Sequence, residues 1–202
     1  MTFRELIDQC YINLQKGHWL IRMEELANIL PHEESLMAER VALGADVEAL
    51  RRRIRVALNQ AYTQLARTFF PIHGQETVKL DAQSYVRQSR MVGRVMRYRA
   101  VSHEGRAQVF MQHGTDAEVF APPESTVLVR YDVFPESLTA DSDVPRLPPF
   151  APPDLLTFMA TSAVFAQDSQ RASAAFWDAK YKDLLAQVLK NRNVRLPGRV
   201  WR

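Results

Sequence analysis

From Thr2 to Phe69 the apolar positions recur mostly at intervals of three and four residues, the period of helices that bury one face. Leu6, Ile7, Cys10, Tyr11 and Leu14 share the first such face. Thr2 and Glu5 stand in front of it as a capping box, each able to satisfy the other's free amide, and Gly17 is the predicted stop. Met23 to Leu30 predicts a short helix halted by Pro31, and Glu33 to Leu43 another halted by Gly44. Asp46 is a suitable N-cap for a long helix whose buried side is Val47, Leu50, Ile54, Ala57, Leu58, Ala61, Leu65 and Phe69, ended by Phe70-Pro71.

The period shortens to two between about Thr77 and Pro135. Val95 to Val101 places Met96, Tyr98 and Ala100 on one side and Arg97 and Arg99 on the other. His103-Glu104-Gly105 predicts a hairpin turn into Gln108 to Met111, and His113-Gly114-Thr115-Asp116 a second turn into Ala117 to Phe120. The clearest strand alternates Val127, Val129, Tyr131 and Val133 with Leu128, Arg130 and Asp132. Short links between these runs suggest an antiparallel meander.

Six prolines between Pro135 and Pro153 then exclude helix and central strand, leaving an extended connector. Beyond it Leu155, Leu156, Met159, Ala160, Ala163 and Val164 form one apolar face. Phe176, Trp177, Tyr181, Leu184, Leu185, Val188 and Leu189 form a second. The polar stretch Gln167 to Arg171 between them predicts an αα-hairpin turning near Asp168 to Gln170. Trp177 and Tyr181, four residues apart, are expected to pack in the core.

Composition narrows the class. With 202 residues, 47% of them hydrophobic, the chain can bury a sizeable core. Its only cysteine, Cys10, rules out an intrachain disulfide and a cysteine-based zinc site. The opening residues lack a basic and apolar leader pattern, and no run reaches the roughly 18 apolar residues of a membrane span, so no membrane partner is expected. Net charge is only +3, but most of the basic residues are Arg, whose planar fork suits protein interfaces and phosphate alike. Arg51, Arg52, Arg53 and Arg55 are too close in sequence all to face one partner, so a solvated face or intersubunit salt bridges are expected for them rather than a nucleic-acid patch.

Catalytic patterns are missing. The chain has no Gly-x-Ser-x-Gly elbow, phosphate-binding Gly-Lys-Ser/Thr loop, dinucleotide glycine motif or His-Glu-x-x-His. His32 precedes two glutamates that suit a helix start, His103 and His113 adjoin predicted turns, and His18 and His73 have no acid close in sequence. Asp141-Ser142-Asp143 lacks the further oxygen ligands and glycine of a calcium loop. We therefore expect no enzyme, metal or cofactor. Interest falls instead on the acid-free C-terminal stretch, where Arg192, Arg195, Leu196, Pro197, Arg199, Val200, Trp201 and Arg202 read as a docking peptide.

The order of elements resembles the head-to-tail adaptor, or head-completion, proteins of tailed bacteriophages. Three regions carry the resemblance: the opening helix from Thr2-Phe3-Arg4-Glu5-Leu6-Ile7; the long helix Val47 to Phe69 with Leu58-Asn59; and the Pro-rich approach to Leu155-Leu156, followed by Ala160, Ala166, Ala172, Trp177, Tyr181 and Leu185. The resemblance implies a structural protein of the virion neck, made in the host cytoplasm and assembled as a homo-oligomeric ring, usually of twelve. It also implies attachment to the portal protein through residues 192 to 202, a tail or nozzle protein on the other side, and transient, non-specific contact with double-stranded DNA in the channel. The β region from Thr77 to Pro135 departs from shorter members.

The expected fold is α+β: a helical frame, with N-terminal helices packed on a C-terminal hairpin, an inserted antiparallel meander and an extended tail. Its expected layout is one adaptor domain over 1–191, helical over 1–72 and 154–191, with the β insertion at 73–135 and the connector at 136–153. Residues 192–202 form the docking tail. The alternative is an Arg-rich DNA-binding or regulatory protein. A small hydrolase, with His and acids brought together only by folding, is a third possibility.

Overall fold

In a computed structural model that describes residues 1–27 and 34–194, the chain is α+β, with helices at both ends of the sequence and antiparallel strands between. It forms two compact units. One comprises Met1–Tyr62 and the chain from Ser137 onward, the other Thr63–Glu136.

In the helical unit, α1 (Phe3–Asn13) begins at the predicted capping box, both halves of which form. It buries Phe3, Leu6, Ile7, Cys10 and Tyr11. Gln15, not Gly17, ends it: with φ at +59°, Gln15 donates to the carbonyl of Ile12 and Lys16 to that of Tyr11, which closes the helix in a Schellman motif. Gly17 instead opens α2 (Gly17–Ala27), six residues earlier than the expected start at Met23. Pro31 and His32 lie outside the described residues.

The two helices expected on either side of Gly44 are one, α3 (Glu34–Thr68). A helical glycine costs about 1 kcal/mol relative to alanine, which tertiary contact readily outweighs. Here a Cβ at Gly44 would lie 3.8 Å from the Met23 methyl, and Arg22 of α2 forks onto Glu39 of α3 at 2.8 and 3.0 Å. α4 (Asp154–Gln167) and α5 (Arg171–Val194) form the predicted hairpin. Ser169, at φ +60°, turns the chain with the same Schellman bonds onto Ala166 and Phe165. α4 buries Leu155, Leu156, Ala160 and Val164 together with Thr157 and Thr161.

The proline-rich connector is a bound strap. The carbonyls of Asp143 and Asp141 accept the amides of Phe3 (2.7 Å) and Arg4 (3.0 Å), which would otherwise be orphans at the start of α1. Asn59 of α3 exchanges two bonds with the Leu138 backbone, at 2.7 and 3.0 Å, and the Tyr62 hydroxyl accepts from the amide of Arg146.

The β unit holds two antiparallel sheets. One runs β1 (Ile72–Lys79), β7 (Thr126–Val133), β3 (Val95–His103), β4 (Arg106–Gln108), and the other β2 (Tyr85–Val86), β6 (Asp116–Val119), β5 (Phe110–His113). This is not a meander, because β7 returns between β1 and β3. Both predicted hairpin turns are present, with Gly105 and Gly114 at positive φ. Val95, Tyr98, Val101, Val127, Val129 and Tyr131 share one core. The strict alternation expected along β3 fails, since bulges interrupt its pairing with β7 between Val95 and Arg97 and between Tyr98 and Ala100. Met96 and Ala100 are therefore not core residues, whereas Val95, Tyr98 and Val101 are.

Candidate interaction site

Three of the arginines of α3, Arg51, Arg53 and Arg55, are used within the chain, while Arg52 is exposed. Arg51 and Arg55 both reach Asp141, at 2.7 and 2.5 Å, and Arg53 reaches Asp168 at 2.6 Å. Desolvation alone would raise the Asp141 carboxyl, but the two guanidiniums hold it below its ordinary value. Asp143 accepts the amides of Thr139 and Ala140 at 2.7 and 2.9 Å, so Asp141-Ser142-Asp143 is a loop fastener. Cys10 is buried, and burial pushes its thiol up to about 12, which leaves it protonated and unreactive.

Among the described residues, two surfaces combine features suited to a partner. On the helical hairpin, Phe158, Phe176 and Trp177 form an aromatic ledge, with the Trp177 centroid 5.4 Å from each of the other two. The Lys180 ammonium lies 4.8 Å from the Trp177 and Phe176 ring centres. Phe176 is 54% exposed and Trp177 half-buried, so of the expected pair only Tyr181 is core. Beside the ledge, the α1–α2 turn, α3 and the α4–α5 turn enclose a groove of about 470 Å³ spanned by the Arg53–Asp168 pair. Because its ring is only partly buried, Trp177→Ala is expected to cost about 2–3 kcal/mol of stability, less than a fully buried ring would, measured by chemical unfolding.

The second surface is on the four-stranded sheet. Asp132 points away from the core face that carries Tyr131, yet it is fully buried, because three basic side chains converge on it. His73 of β1 places Nδ1 3.0 Å from Oδ1; Arg97 donates through Nε and Nη2 at 3.3 and 3.1 Å; Arg99 donates through Nε at 2.8 and 2.9 Å. Register explains the convergence, since His73, Asp132 and Arg97 form one cross-strand row. Arg99 falls at the second bulge, between the pairs Tyr98↔Tyr131 and Ala100↔Arg130, and is thereby turned back onto the same carboxylate.

Burial pushes the Asp132 carboxyl up, but hydrogen bonds from Arg99, Arg97 and His73 outweigh it and leave the carboxyl below its ordinary 3.8. A lowered folded value means that the stability Asp132 contributes is present above pH 3.8 and is lost as pH falls through the lowered value. Asp132→Asn should therefore melt below the wild type at neutral pH, and the gap should close in acid titration below pH 3.8.

The sequence reading missed this constellation, finding no acid near His73 because Asp132 is distant along the chain. Of the predicted docking residues, Arg192 falls within the last turn of α5, so that segment begins inside the helix; Arg195, Leu196, Pro197, Arg199, Val200, Trp201 and Arg202 lie outside the described residues. Among the described residues no cluster of three or more potential metal ligands occurs, and no helix is long and apolar enough to cross a membrane. Neither a known protein family nor a curated protein matches the chain.

Proposed function

We propose that the protein is a structural adaptor like those of the phage neck: copies assemble through unlike faces into a ring, of twelve by analogy, that joins portal to tail and lets DNA pass. The observation that carries this reading is the aromatic ledge on α4 and α5, a partly exposed apolar surface with a lysine over it, on the helix that runs into the Arg-rich segment from Arg192. Aromatic and arginine side chains are those that most often supply interface energy. A ring needs two different matching faces on each copy, and the ledge with the adjoining groove offers one of them.

Electron microscopy and light scattering of the protein mixed with portal protein should show a symmetric complex. Persistent monomer that does not bind portal would remove the reading. Trp201→Ala should weaken portal attachment by about 2 kcal/mol or more while leaving the melting temperature unchanged.

The second reading, an Arg-rich DNA-binding protein, is favoured by one feature, the guanidinium pair fixed on Asp132. It predicts tight duplex binding by the free protein, whereas an adaptor lining a channel should bind free DNA weakly at physiological salt.

A further inference from the structure

Two consecutive rows cross the outer face of the four-stranded sheet: His73, Asp132 and Arg97, then Gln75, Arg130 and Ala100, with Arg99 at the bulge between them. They carry three arginines and one histidine against a single carboxylate, and that carboxylate is buried and already engaged. The basic groups are not buried with it. His73 is 68% exposed, Arg97 58% and Arg99 42%. Binding to Asp132 occupies Nε of Arg99 and Nε and Nη2 of Arg97, which fixes both guanidinium planes and leaves their other terminal nitrogens to a ligand.

Guanidiniums held this way suit a tetrahedral or planar oxyanion, because their orientation is set before the ligand arrives. The rest of the face decides between an acidic protein and a nucleic acid. A protein interface normally has an apolar centre, and these rows contain no large apolar side chain, the next row, Thr77, Leu128 and Ser102, supplying a single partly buried leucine. Nucleic-acid interfaces are polar and strongly positive. No Phe, Tyr or Trp stands in the rows to stack on an unpaired base, so the contact fits a duplex backbone.

We infer that this face is a contact surface for the phosphate backbone of double-stranded DNA, held through the Asp132-oriented Arg97 and Arg99 and indifferent to base sequence. It rests on the DNA-binding reading above, to which it assigns residues of the β unit: a wild type that binds the duplex while the arginine variants bind equally well would leave that reading standing and remove this face from it.

The test is fluorescence anisotropy of the full-length protein with a short labelled DNA duplex, titrated between about 50 and 200 mM salt. Arg97→Gln/Arg99→Gln should bind about tenfold or more weakly, and its salt slope should fall by about 2, the loss of two phosphate contacts. Arg130→Gln, whose side chain bonds only Gln75 at 3.1 Å, should weaken binding without touching the Asp132 network. Asp132→Asn removes a negative charge yet should bind more weakly, because the forks lose their anchor. Thermal melts of each variant separate lost contact from lost fold. The inference is overturned if the wild type does not bind the duplex, if the double and Arg130 variants bind as the wild type does, if Asp132→Asn binds more tightly, or if a polyglutamate peptide binds better than the duplex at equal salt.

Discussion

Phe3→Ala is expected to destabilise the helical unit by about 3–5 kcal/mol, the range for removing a fully buried aromatic ring. In a chain of this length that corresponds to a fall in melting temperature on the order of 10 °C. The ring has no solvent exposure. Its backbone amide is held by the Asp143 carbonyl at 2.7 Å, and the Arg55 guanidinium, which also grips Asp141, lies 5.5 Å from the ring centre. Phe3 is thus where the first turn of α1, the strap and α3 meet, and a cavity there loosens all three. Phe3→Leu keeps most of the apolar contact and should cost under about 1.5 kcal/mol. Hydrogen exchange should show the amides of Phe3, Arg4 and Leu138 losing protection in the alanine variant. An unchanged melting temperature would mean that the strap does not depend on this ring.

Local signals in the sequence were sufficient wherever neighbouring residues decide the structure. The capping box of Thr2 and Glu5, the α4–α5 turn and the glycine turns after His103 and His113 all rest on residues within a few positions of one another. β7 was readable because one face is buried and the other is mostly polar. The failures share a cause of the opposite kind. Gly44 signals a helix end locally but is overruled by α2 packing against it. After Ile72, β1 continues His73-Gly74-Gln75-Glu76, too polar to suggest a strand, and becomes one by pairing along its whole length with β7. The Asp132 constellation depends on that same unforeseen pairing and on two bulges, neither of which has a signal in the residues alone. On the hairpin, spacing correctly put Tyr181 in the core but could not tell that the aromatic one turn earlier, Trp177, would be left only partly buried.

Tyr131→Ala is expected to cost the β unit about 3–5 kcal/mol, and its neighbours allow the cost to be divided. The ring is 2% exposed and occupies space that two glycines leave open. A Cβ at Gly74 would stand 2.7 Å from Cζ of Tyr131, and one at Gly93 would stand 2.8 Å from its hydroxyl oxygen. The hydroxyl donates to Glu76, which also accepts the amides of Val92 and Gly93 at 2.9 and 3.2 Å. Tyr131→Phe removes only that donor and should cost about 1 kcal/mol. Gly74→Ala forces the ring or Val133 to shift and should cost about 1–3 kcal/mol. The double variant Gly74→Ala/Tyr131→Ala should be less destabilised than the sum of its parts, because the added methyl enters space the ring has vacated. Strict additivity in denaturant unfolding would show that the glycine is not there to admit the ring. Tyr131 also fixes the phase of β7 that turns Asp132 to the opposite face, so Tyr131→Ala should weaken duplex binding although the residue lies on the other side of the sheet.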